Sequence, residues 1–151
     1  MAPGPSATVV GLQGADAEAS ARATVRAFQD AVFVGDLSLA LTLLDPSATL
    51  VDPLVGDAAQ DATRGELVLE LRRRYATGVR LEGLSVEVTL LGGGTAPPDA
   101  TALVISELAM LQERDDGIGE QVGRVHETAL LVSTPEGWRI RHLHRSSAPL
   151  D

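Results

Sequence analysis

A chain of 151 residues with 44% apolar side chains suits a single domain with a buried core. It has no cysteine, which excludes disulfides and thiolate sites, and its twelve basic residues are all arginine, so Schiff-base catalysis is excluded as well. The net charge of -9 makes nucleic acid and anionic membranes poor partners for the surface.

The first fourteen residues, rich in Pro, Gly and Ala, read as a flexible tail, with a single domain from 15 to 151. No stretch has the charged start and apolar run of a signal peptide, and no apolar run approaches the roughly 20 residues of a membrane helix. The expectation is a cytoplasmic protein.

From Asp16 the apolar residues Ala21, Val25, Phe28 and Val32 recur at helical spacing, and Gly35-Asp36 ends that helix. A short second helix carries Leu39, Leu43 and Leu44 and stops at Asp45-Pro46. "ATLVD" (48–52) reads as a short strand. Thr63 with Glu66 three residues later is a capping-box pattern, and it opens a third helix with Leu67, Leu71 and Tyr75 on one stripe. The rest alternates as strands at 79–91, 101–113, 121–134 and 137–147, separated by "GGGTAPPDA", "RDDGIG" and "TPEG". The order implies an α+β domain with three N-terminal helices packed on a mainly antiparallel sheet. Neither face of strands 101–113 and 121–134 is simply polar. The helices cover one face, and a second copy of the chain is the economical cover for the other, so a homodimer or larger assembly is expected.

"VGDLSLALTLLDPSATLVDPLVG" (34–56) resembles the opening of the ketosteroid isomerase and SnoaL-like cyclase group, within the nuclear transport factor 2-like (cystatin-like) superfamily. "HETALLVSTPEGWRIRHLHRSSAP" (126–149) resembles the end of SnoaL-like members and of the association domain of calcium/calmodulin-dependent kinase. The resemblance implies a cone: a strongly bent sheet wrapped on helices around an apolar cavity. It also implies a small enzyme without cofactor, of isomerase, cyclase or dehydratase type, acting on an apolar carbonyl or polyketide-like compound. The alternative is a non-catalytic ligand-binding or oligomerising module. Asp52 matches the general base of the isomerases, and Glu127 lies close to their protonated acid. Phe28 stands where they carry a tyrosine, and it has no hydroxyl to donate. Arg145 matches an arginine that lines a small-acid pocket in the kinase module.

Each candidate also has a plain structural reading. Asp52 before Pro53 is either a turn residue closing a strand or a proton shuttle at a cavity mouth. Glu107 and Glu127 sit mid-strand among apolar residues, where an unpaired charge is costly. By alternation they should share a face with each other and with Arg141 and Arg145, as structural ion pairs or as a polar floor for a ligand. His142 and His144 share a face with Trp138 and Ile140, which favours a subunit contact that also includes His126 over a metal site. Tyr75 reads as core, with its hydroxyl near the cavity entrance. No metal or cofactor is expected.

Overall fold

The computed structural model describes residues 6–51, 79–91, 100–117 and 119–149, together with Gly65, Glu66, Val68, Leu69 and Arg72. Helix α1 spans Ser6–Val34 and α2 spans Leu37–Thr42. Five strands follow: β1 Leu44–Val51, β2 Val79–Leu91, β3 Thr101–Glu113, β4 Gly119–Thr134 and β5 Gly137–Pro149. They form one sheet in the order β1-β5-β4-β3-β2. The β2–β3, β3–β4 and β4–β5 pairs are antiparallel, and β1 runs parallel to β5.

Two helices are described where the sequence suggests three. Of the third, the five described residues between 65 and 72 all have helical backbone, and Val68 is fully buried. Helical backbone in α1 begins at Ser6, ahead of the apolar periodicity that starts at Asp16. The long strands fall within two residues of their expected limits, and β1 starts four residues early, at Leu44.

The α1–α2 corner follows from local chemistry. Gly35 has φ +84°, a left-handed conformation that costs a glycine little, and its amide bonds the Ala31 carbonyl at 3.0 Å. Asp36 then caps α2, its carboxylate accepting from the Leu39 amide at 3.2 Å. Arg72 donates to the Phe33 carbonyl and ties the 65–72 segment to the end of α1.

The buried stripe of α1 is Ala17, Ala21, Val25, Phe28, Ala31 and Val32. It packs on the inner face of the sheet, whose residues form transverse rows in direct register. One row is Leu90, Ala102, Leu131, Ile140 and Leu44; the next is Val88, Val104, Ala129, Leu143 and Leu50. Both rows are apolar, and with Phe28 they make the core. The third row is Val86, Ser106, Glu127 and Arg145; the fourth runs from Gly83 through Leu108 and Val125 to Ser147.

Four register shifts interrupt the ladders: one lies between Leu44 and Thr49 of β1, and the other three each carry one extra residue, Leu84 in β2, Val122 in β4 and Arg141 in β5. Such bulges bend a strand and raise its twist, which lets the sheet curve around α1. They also reverse the inside–outside alternation beyond them.

Candidate functional site

The third row is where the inner face turns polar. Glu127 is fully buried and Arg145 is 2% exposed. The Arg145 Nε donates to Glu127 Oε2 at 2.5 Å. From α1, Gln29 Nε2 donates to Glu127 Oε1 at 2.8 Å. Both carboxylate oxygens therefore accept, one from a guanidinium and one from a side-chain amide. A buried carboxylate is tolerated here because a guanidinium and an amide replace the water it loses.

Two adjoining cavities open between α1 and this part of the sheet. The smaller, about 170 Å³, is lined by Arg26, Gln29, Val32, Arg80, Gly83 and Arg145, among others. The larger, about 290 Å³, is lined by Arg22, Arg26, Gln29, Gly83, Ser106 and Leu108, with Ala19, Ala23, Val25 and Val86 completing mostly apolar walls. Arg26, Gln29 and Gly83 border both. The space exists because the residues facing each other across it are small: alanines on α1, and on β2 a glycine beside the Leu84 bulge. Arg26 at the rim is largely exposed and stands 3.7 Å from Asp30.

The structure separates the residues grouped by alternation. It brings Glu127 and Arg145 together on the inner face, with Phe28 buried in the adjacent core. Glu107 stands on the opposite face, in register with His126, whose Nδ1 is 2.8 Å from Glu107 Oε1. The Val122 bulge is the reason. Without that extra residue, odd-numbered positions of β3 would oppose odd-numbered positions of β4, and the two glutamates would share a face. Arg141 likewise leaves the cavity. As the extra residue of β5 it is exposed and lies 3.7 Å from Asp45. Its insertion also turns Trp138 and Ile140 into the core, away from His142 and His144, so the expected shared face of these four residues is corrected. Asp52 and Tyr75 lie outside the described residues.

Two contributors escaped the sequence reading. Gln29 is one residue past Phe28 and so falls at the border of the buried stripe. Ser106 was one polar residue in an apolar strand, and only the register with Glu127 reveals its place. Among the described residues no group of three His, Asp or Glu side chains is placed to hold a metal ion, and no helix is long and apolar enough to cross a membrane.

No protein-family model and no curated protein matches the sequence. Solved structures do. An NTF2-like protein with a cystatin-like fold from Novosphingobium aromaticivorans superposes with a TM-score of 0.69 at 19% identity, covering 99% of this chain and 93% of that one. The calcium/calmodulin-dependent kinase II hub of S. rosetta gives 0.63 at 22% identity, covering 98% and 100%. A candidate ketosteroid isomerase from Shewanella frigidimarina gives 0.61 at 20% identity, covering 84% and 94%. Together with the bulged antiparallel sheet closed by a parallel first strand, these likenesses establish that the chain has the cystatin-like fold of the nuclear transport factor 2-like proteins.

Proposed function

We propose that the domain binds a small, largely apolar carbonyl compound between α1 and the sheet and moves a proton on it, as a cofactor-independent isomerase, cyclase or dehydratase would. The observation that carries this reading is the buried Gln29–Glu127–Arg145 relay at the border of the cavities. Arg145 lines the smaller cavity, and its guanidinium supplies a fixed positive charge toward an oxygen that gains negative charge. Glu127 and Gln29 act as positioning residues that lock the guanidinium in place. In this reading Asp52 is the base, and Tyr75 contacts the substrate near the entrance.

The test is α-proton exchange of simple ketones in D2O, followed by proton NMR. The wild type should accelerate exchange over buffer, and Asp52→Asn should lose about 10² to 10⁴ of that acceleration. A wild type that binds ketones and accelerates nothing would move the domain to the binding-module class.

A second reading, compatible with the first, is self-association through the outer sheet face. The observation favouring it is an apolar patch of Leu103, Ile105, Leu130 and Val132, half-buried side chains that the described residues leave uncovered. His126, His142 and His144 flank the patch on the same face. A homodimer would cover it.

A further inference from the structure

Ser106 lies in the polar row, directly opposite Glu127 on β4 and Val86 on β2. Its side chain is 1% exposed, and its hydroxyl has no hydrogen-bond partner among the described residues. Glu127, its cross-strand neighbour, already accepts from Arg145 and Gln29. A buried hydroxyl left without a partner is destabilising compared with an alanine of the same backbone, and such groups are uncommon in folded proteins. The same residue lines the 290 Å³ cavity, whose walls are mostly the aliphatic side chains of Val25, Val86 and Leu108 and the alanines of α1, with Arg22, Arg26 and Gln29 as the other polar members.

We infer that Ser106 is a ligand-contacting residue: its hydroxyl donates to a neutral oxygen, a ketone or an alcohol, carried on an apolar skeleton that fills the larger cavity. The inference rests on the reading of this cavity as a ligand site and adds which atom selects the ligand. Three features define the ligand class. The cavity walls are mostly apolar, so the body of the ligand is largely hydrocarbon. The hydroxyl is uncharged, so the oxygen it holds need not be ionic. The volume lies just under the range of about 300–1,000 Å³ typical for drug-sized ligands, so the ligand is a single ring or short chain. A site built around one hydrogen bond rejects the analogue that lacks the oxygen, because the hydroxyl is then buried unpaired. The lack of a side chain at Gly83 keeps the cavity open: among the described residues, a Cβ built there meets only the Arg26 guanidinium, at 3.9 Å.

The experiment compares acetophenone with ethylbenzene, two probes of similar shape of which only the first carries the oxygen. Binding is measured by NMR titration of the full chain, its Ser106→Ala variant and a cavity-filling Gly83→Leu variant. The wild type should bind acetophenone about tenfold tighter than ethylbenzene. Ser106→Ala should remove that preference by weakening acetophenone alone, and Gly83→Leu should weaken both probes. Without ligand, Ser106→Ala should melt about 2–4 °C higher than the wild type, because it removes an unpaired buried hydroxyl. Equal binding of the two probes by wild type and Ser106→Ala would overturn the role of Ser106 while leaving the cavity as a site. Failure of the wild type to bind either probe at millimolar concentration would overturn the cavity reading and this inference with it. A lower melting temperature for Ser106→Ala would show that the hydroxyl is already partnered, and would also overturn it.

Discussion

Replacing Arg145 by methionine keeps a long side chain in place and deletes the guanidinium. Glu127, fully buried, would then retain only the Gln29 amide of its two described donors. Removing one partner of a buried ion pair costs about 3–5 kcal/mol, chiefly because the remaining charge is left uncompensated. Total stabilities of about 5–15 kcal/mol are usual, so this is a large fraction of what holds the fold. For a chain of this size about 1 kcal/mol corresponds to roughly 2–4 °C, so Arg145→Met should melt about 6–20 °C lower than the wild type. Urea unfolding should show the loss as a lower midpoint at unchanged slope. The double variant Glu127→Leu, Arg145→Met removes both charges and should recover most of the stability, since apolar replacement of a buried pair is often neutral or favourable. A loss under about 1 kcal/mol in Arg145→Met, or a double variant as unstable as the single, would refute the argument that Glu127 depends on this guanidinium.

Phe28→Ala should lose about 3–5 kcal/mol in guanidinium unfolding, because Phe28 is fully buried between α1 and the apolar rows. Arg141→Ala should change stability by less than about 1 kcal/mol in the same assay, since its contact with Asp45 is long and its side chain half-exposed. Light scattering at micromolar concentration should give the mass of a dimer or larger assembly for the wild type, and Ile105→Arg, on the outer face, should shift it to a monomer with the fold retained.

The elements were legible from the sequence because their signals are local. Alternation in 101–113 and 121–134 and the turn residues between them set the strands, and the spacing of Ala21, Val25, Phe28 and Val32 set the buried face of α1. The order of elements gave the α+β class, and the resemblance of the two quoted stretches gave the cystatin-like fold within it. What alternation could not supply was the face of a residue across a bulge. Glu107 and Arg141 were grouped with Glu127 on the assumption of unbroken period-two strands, and one extra residue at Val122 and another at Arg141 break that assumption. A bulge leaves little mark in a single sequence, because the inserted residues here, Leu84, Val122 and Arg141, are ordinary strand residues.

The same bulges explain why the site lies where it does. The two apolar rows are closed by Phe28, Leu131, Ile140 and Leu143, large side chains that fill the space under α1. From the third row on, the inner face carries a serine, a glycine and the Glu127–Arg145 pair, while α1 presents alanines, Gln29 and two arginines. Packing therefore runs out at the row where polarity begins. A core at ordinary density would place a large aliphatic residue at Ser106 or Gly83, and either would displace the cavity. The fold forgoes that burial, keeps a buried ion pair, and leaves the Ser106 hydroxyl without a partner among the described residues. Local departures from good packing that coincide at one row, bordering one cavity, are expected of a working site rather than of a core.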